Sequence, residues 1–346
     1  MMEIVFKYEL DEREIENINA FCKSIDYCAI EQCLGWTQIF MDPRICYFYL
    51  KDDSVIRSFC QIHEKYRAAH IIFGPVCCDK EIMVESINEI IHYYKKRHFI
   101  YLGIQMYYKS SFETEYIEYK LNKLHRIKYL FNTDNTKSSI EINLENSLEM
   151  IYNGFRKGHK GDIKKAIKLG LTVDSAKDTT ELLSFTEIYR KMCRTRKIID
   201  KQISPDSIQP LFHYLKSNNL GEILIIKESS GEVLGGAVLV FQGVSVRYLK
   251  GATDPARRDL PILHLLMYEA IRMAKNYNFK YFDFWGFNHF VDEDNQVYNI
   301  NRFKKGFGGY YTFLAKRMNI NLVPKGFLIY TYLMHFKNIL KKLLLN

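Results

Sequence analysis

One order of strand-like and helical runs occurs twice along this chain, and that repetition narrows the folds open to it more than any other feature. In the second half, EILIIKE and VLGGAVLVF are joined by Ser-Ser-Gly and followed by SVRYLKGAT, three short β-rich runs with a turn signal between the first two. After the polar loop DPARRDLP the apolar spacing becomes helical from Ile262 to Asn276, and a short strand is expected from Tyr281 to Trp285. The first half has the same outline. Runs Ile45 to Leu50 and Ser54 to His63 flank Lys51-Asp52-Asp53; HIIFGPV, an amphipathic helix from Glu81 to Lys96 and the buried strand FIYLGIQM follow. Helical spacing also marks Glu12 to Ser24, and a further helix is expected from Tyr27 to Leu34. Strand pairs followed by helix and strand describe an α+β layered domain, and two such series read as an internal duplication. The 346 residues suit two domains of about 150 to 200 residues, with the division expected at 1–145 and 146–346.

Charge agrees with a division there. Residues 1–145 carry 18 Lys/Arg and 22 Asp/Glu, whereas 146–346 carry 31 and 18. A second domain at +13 would face a polyanion such as RNA, a nucleotide or an anionic lipid. Its densest basic run is FRKGHKGDIKKAIKLG, a helix ending at Gly170 and preceded by the strand Ser139 to Leu144 and a cap at Asn146/Ser147. The first twenty residues are acidic and lack the apolar core of a secretory signal, and no window approaches a bilayer span. A cytoplasmic monomer is expected. The eight cysteines include no C-x-x-C pair, which predicts small core residues rather than a metal site or disulfides. The final segment, GFLIYTYLMHFKNILKKLLLN, is an amphipathic helix with Lys337, Lys341 and Lys342. It either packs back on the body, the placement expected here, or lies on the inner face of a membrane.

Chemistry concentrates between Tyr281 and Tyr311. A strand carrying Asp283 ends at Gly286; an acidic loop, VDEDN, follows; then a basic turn, Asn301 to Lys305, closes in Gly306, Gly308 and Gly309. A carboxylate near Arg302, Lys304 and Lys305, with glycines where backbone must turn or approach a ligand, can bind an anion and handle a proton. Asp283 could equally cap a neighbouring turn or pair with Arg302. Cys193, in the basic run KMCRTRK, and His289, beside the acidic loop, are further candidates; VDEDN lacks the ligand spacing of a calcium loop.

In this order the residues resemble the FemABX family of peptidyltransferases and their GNAT-type relatives. The resemblance rests on IEQCLGW, FGPV, SSIEINLENSLE and HKGDIKKAIKLGLTV, and in the second half on LGGAVLVF, RYLKGAT, PILHLLMYEAIRMAKNYNFKYFDFWG and FKKGFGG. It implies two tandem GNAT-like (acyl-CoA N-acyltransferase) domains, the first degenerate and supporting substrate, the second carrying the transfer cleft beside a bulged, splayed central strand. It implies transfer of an aminoacyl group from aminoacyl-tRNA to an amine of a nucleotide- or lipid-linked peptidoglycan precursor. No tightly bound cofactor is expected, only aminoacyl-tRNA or acyl-CoA as co-substrate. Phe303 and Lys304 stand at the head of the family's FKxGFGG motif, and Tyr248 holds the position of a substrate-contacting tyrosine. Lys160 or Gly161 replaces an arginine usual in that family, the helical arm of some members has no room between Arg196 and Gly221, and ARRDLPILHLL lacks the R-x-x-G-x-G/A loop that holds CoA pyrophosphate.

Aminolysis of an activated ester needs an aimed, deprotonated amine and a stabilised oxyanion. Lys304 is expected to stabilise the negative charge and Asp283 to orient or deprotonate the amine; Phe303, Tyr248, Arg302 and Lys160 are expected to bind substrate. Two other classes stay open: an acyl-CoA-dependent N-acyltransferase acting on an amino sugar or small amine, and a non-catalytic GNAT-like binding module.

Overall fold

The computed structural model describes residues 2–40, 44–109, 112–125, 127–130, 138–196, 204–287, 291 and 296–343. Two compact units emerge, residues 1–132 with 313–346, and residues 133–312.

In the first unit, β1 (Met2–Lys7) precedes α1 (Glu12–Ser24), whose start is fixed by a reciprocal capping box between Asp11 and Glu14. Then come β2 (Arg44–Asp52), β3 (Val55–Lys65), β4 (Ala68–Ile72), β5 (Val76–Cys77), α2 (Lys80–Lys96), β6 (Tyr101–Gln105), α3 (Phe112–His125) and β7 (Lys128–Leu130). The stretch expected as a helix from Tyr27 to Leu34 forms only one short 3₁₀ turn, at Ile30–Gln32, and a second follows it at Thr37–Ile39. Gln32 helps explain the break: its amide donates to Ile72 O (2.7 Å) and accepts from Gln61 N–H (2.7 Å), pinning the segment to the sheet. Helix α2 buries Ile82, Met83, Ile87, Ile90, Ile91 and Tyr94, one helical stripe, against a core that also takes Cys46, Cys60 and Cys77. Glu64 is buried there, accepting from the hydroxyls of Tyr8 and Tyr94 and from Arg97 at about 2.9 Å. All eight cysteines are free thiols, five of them buried.

The second unit contains β8 (Ser138–Asn143), α4 (Leu148–Asn153), α5 (Lys157–Lys168), β9 (Thr172–Ser175), α6 (Thr179–Arg196), α7 (Ile208–Asn218), β10 (Gly221–Lys227), β11 (Val233–Gln242), β12 (Ser245–Thr253), α8 (Ile262–Asn276), β13 (Tyr281–Asp283), α9 (Gln296–Lys305) and β14 (Tyr310–Phe313). The chain then re-enters the first unit as β15 (Arg317–Asn321) and α10 (Gly326–Leu343).

Sheet order shows the duplication directly. The first sheet runs β1-β2-β3-β4-β6-β15-β7, with β5 paired to β3; the second runs β14-β8-β13-β12-β11-β10-β9. Each has an antiparallel meander, one parallel pair (β4/β6 and β12/β13) and then an antiparallel strand brought from far away in sequence (β15 and β8). These imported strands correct the expected division at 145/146. Strand β8 pairs with β13, and β15 buries Met318 and Ile320 in the core of the first unit. Expected helix packing at the C terminus is found as well: Phe327 and Tyr330 of α10 lie over Tyr101 of β6 at ring distances of 5.2 and 5.3 Å.

Redrawn units also remove the charge asymmetry. The first holds 23 Lys/Arg and 19 Asp/Glu, a net of +4; the second holds 26 and 21, a net of +5. In sequence, positive charge concentrates in particular stretches, α5 and the C-terminal segment, rather than in one unit.

Candidate active site

The parallel pair of the second unit separates part-way along. Strands β12 and β13 pair over three registers, Ser245↔Tyr281, Val246↔Phe282 and Arg247↔Asp283, after which β13 stops while β12 continues to Thr253. Immediately beyond, β12 carries an extra residue, Leu249, because Leu239 faces Tyr248 and Val238 faces Lys250. A bulge adds twist and re-aims the strand, so a notch opens at the carboxyl end of the parallel pair, where sheets with crossover helices commonly take ligands. In the first unit β4 and β6 pair over their full lengths, Ala68↔Tyr101 to Ile72↔Gln105. The notch is a feature of the second unit's parallel pair and not of the first's.

Charged side chains line up across the strands at the notch. Arg247, Asp283 and Glu141 are opposite one another on β12, β13 and β8, and all three are buried. The Arg247 guanidinium stacks 3.7 Å above the Trp285 ring. Asp283 accepts from Ser139 Oγ and from Trp285 N–H (2.7 Å), and Glu141 accepts from the Tyr310 hydroxyl at 3.2 Å. Asp283 therefore caps the turn that leaves β13, one of the roles its sequence position allowed. That turn is unusual: Trp285 and Gly286 are both left-handed, at φ 49° and 55°. A bulky residue is held there at a cost of order 1–3 kcal/mol, and two successive carbonyls are presented to one side chain.

That side chain is Lys304. The basic stretch Asn301 to Lys305, expected as a turn, is the last part of helix α9, and helical spacing sorts its residues. Asn301 and Lys304 share the buried face; Arg302 and Lys305 are exposed. Lys304 Nζ donates to Trp285 O and to Gly286 O (2.9 Å). Burial pushes its ammonium down to about 8 from the 10.5 of a free lysine; Asp283 pulls the other way and Lys250 adds to the fall. Lys305 points elsewhere, over the rings of Phe287 and Tyr311 at 5.3 and 5.6 Å.

Phe303 packs among His159, His264 and Phe307, with ring centroids 5.2–5.5 Å away. His159 comes from α5 and His264 from α8, and neither stood out in the sequence. The contact of His159 Nε2 with Phe303 O, at 2.9 Å, is a hydrogen bond if Nε2 carries the proton. Burial lowers the pKa of His159 and, together with His159 itself, holds His264 at about 4, so both rings are neutral near pH 7. Arg156 N–H donates to Gly306 O (2.8 Å), and a Cβ on Gly306 would lie only 2.1 Å from Cε1 and Nε2 of His159. The start of α5 thus clamps the FKKGFGG segment and with it Lys304.

Of the residues expected at the site, Lys304 and Asp283 meet at the Trp285–Gly286 turn, and Phe303 precedes Lys304 on the same turn of α9. Tyr248 sits beside the bulge with its ring over Gly251, and burial raises its phenol. Arg302 is on the exposed face of α9. Lys160 is spent elsewhere, donating to Asn153 O at the end of α4 (3.2 Å). His289 and residues 292–295 of the acidic loop lie outside the described residues. Among the described residues no group of three or more His, Cys, Asp or Glu could hold a metal ion. Sequence reasoning missed Glu141, Arg247, His159 and His264. A charged residue inside an apolar strand (SSIEIN, VSVRYL) was the available signal for the first two; nothing in the sequence joins the two histidines.

A duplicated mixed sheet whose second parallel pair splays beside a bulge defines a GNAT-like protein, and comparison with known proteins agrees. A family profile described as an acetyltransferase (GNAT) domain matches residues 153–304. The crystal structure of FemX superposes with a TM-score of 0.76 over 92% of this chain and 97% of that one at 16% identity. A tandem GNAT protein from the clavulanic acid biosynthesis pathway gives 0.53 over 94% and 99% at 8% identity. In sequence, a lipid II:glycine glycyltransferase of Staphylococcus haemolyticus is 34% identical over 87 residues, a stretch that spans 25% of this chain and only 21% of that relative. The likeness to FemX shows a shared fold, and residues 153–304 resemble a GNAT acetyltransferase domain.

Proposed function

We propose that this protein is an amide-forming acyltransferase that moves an activated aminoacyl group from aminoacyl-tRNA to an amine of a peptidoglycan precursor. The observation that carries the reading is the pairing of an open notch beside β12 with a buried, carbonyl-held Lys304 at its floor. The name of the staphylococcal relative supplies the substrate class. In the reaction, the neutral acceptor amine attacks the ester carbonyl. The Lys304 ammonium stabilises the oxyanion, and collapse expels the ribose oxygen, which takes up the proton the amine loses. Asp283 serves as counter-charge to Lys304 and as anchor of the Trp285 turn rather than as a base, since its described partners are Ser139 and Trp285 N–H. Phe303 and Tyr248 shape the walls; Arg302, on the exposed face of α9, is left for the phosphates of a large anionic substrate. The protein acts as a cytoplasmic monomer, at the inner membrane face when the acceptor is lipid-linked.

The GNAT profile favours one second reading, transfer from acyl-CoA to an amino sugar or small amine. Against it, Arg257 in the loop before α8 is committed to Glu228 and Glu232 instead of a pyrophosphate. Purified protein should transfer labelled amino acid from charged tRNA to a soluble nucleotide-linked muropeptide. Tight acetyl-CoA binding with no transfer from tRNA would overturn the first reading in favour of the second. Binding of either donor without turnover would make the protein a non-catalytic module.

A further inference from the structure

Helix α10 packs only one side on the first unit. Phe327, Tyr330, Thr331 and Met334 face inward or are half-buried, whereas Leu328, Ile329, Tyr332, Leu333 and Phe336 are exposed, Tyr332 and Phe336 by more than 60%. At 3.6 residues per turn those five fall within about 140° of arc, the width of a face that normally seeks a core. The described residues leave it exposed. In sequence the same spacing continues through Ile339, Leu340 and Leu343. From residue 313 to 346 the chain has six Lys or Arg, Lys325 at the head of the helix among them, and no Asp or Glu; the side chains of Lys337, Lys341 and Lys342 lie outside the described residues. Among the described residues no helix is long and apolar enough to cross a membrane.

An exposed apolar stripe on a helix with basic residues and no acids matches one chemistry, an anionic bilayer surface that takes the apolar side chains below its headgroups and the cations among its phosphates. A protein partner would satisfy the stripe but would not account for 34 residues without a single carboxylate side chain. We infer that α10 docks this protein on anionic lipid, the face Leu328–Phe336 entering the headgroup layer. The inference deepens the proposed reaction by naming the surface where a lipid-linked acceptor would be met, and it rests on that reading only for this purpose.

The test is flotation of the full chain with vesicles of phosphatidylglycerol and phosphatidylcholine, free of any cell-wall precursor, so that binding is read independently of transfer. Wild type should bind vesicles rich in phosphatidylglycerol, and about 0.5 M salt should weaken that binding. The pairs Leu333→Ser/Phe336→Ser and Leu333→Glu/Phe336→Glu should each lose at least about tenfold in partition, with unchanged melting and unchanged transfer to the soluble acceptor. The inference is overturned if wild type ignores anionic vesicles, or if both variants bind as well as it does. Concentration-dependent dimerisation abolished by the same substitutions, without vesicle binding, would also overturn it and assign the stripe to a second copy of this chain. Loss of soluble transfer in wild type counts against the transferase reading alone.

Discussion

The lowered pKa of Lys304 makes its role measurable. With the ammonium at about 8, roughly nine-tenths is charged at pH 7 and about one-tenth at pH 9. The acceptor amine must be neutral to attack, so its contribution rises with pH; the contribution of Lys304 falls. Single-turnover transfer should therefore follow a bell whose alkaline limb has its midpoint near 8. Lys304→Met removes the cation from a water-poor site where one such donor is worth about 3 to 4 kcal/mol, a loss of about 10²–10³ in rate. The residual rate should keep only the ascending limb. A second readout needs no substrate. Folding lowers the pKa of this lysine, so between about 8 and 10.5 the unfolded chain binds one proton more than the folded chain, and stability rises with pH across that window. Wild type should gain about 3 kcal/mol relative to Lys304→Met between pH 7 and pH 11, read as the difference of two denaturation series so that other titrating groups cancel. An unchanged alkaline limb in the variant, or a rate within threefold of wild type, would refute the assignment.

Asp283 raises the pKa of Lys304, so Asp283→Asn should move the alkaline limb of the pH profile to lower pH while leaving a folded protein; a limb that stays put would detach the two residues. Gly306→Ala places a methyl against Cε1 and Nε2 of His159 and should cost about 1–3 kcal/mol in urea denaturation. His159→Ala frees the Phe303 carbonyl and should lower kcat with little change in KM, and His159→Gln, which keeps an N–H donor, should recover much of the loss; equal rates for the two variants would reduce His159 to packing. In the first unit Glu64→Gln weakens the bond from Arg97 and sets an amide against two tyrosine hydroxyls, for an expected loss of about 1–3 kcal/mol by the same assay.

What could be read from the sequence depended on how local its cause is. Helices α1 and α8 have the expected bounds because their apolar spacing and end signals lie within one stretch of chain. The cleft-bearing meander was legible for the same reason. The division of the chain was not, since β8 and β15 are placed by pairing with strands more than a hundred residues away, and a cut based on charge cannot see such pairing. The helical state of Asn301–Lys305 was hidden by the glycines after it, which suggested a turn; they instead end the helix and let α5 approach. Lys304 could be named from its motif and Asp283 from its place at the strand end, but their relation could not. It depends on two left-handed residues, Trp285 and Gly286, that aim carbonyls at the lysine.

The duplication shows how the two units differ where the proposed site lies. Both units use the same device, a parallel pair bordered by a long-range antiparallel strand. In the first, β4 and β6 are matched in length, five registers close, and the last of them, Ile72↔Gln105, carries no charge. In the second, β13 is only three residues long, β12 outruns it and bulges at Leu249, and the last shared row, Arg247–Asp283–Glu141, is charged. Burying such a row costs several kcal/mol per ion unless each is paired and hydrogen-bonded, a cost that the first unit avoids by ending its parallel pair on uncharged residues. Its retention where the ladder opens is what a site for developing charge requires. Replacing the charged row with uncharged residues of similar size should therefore leave a stable sheet without transfer activity.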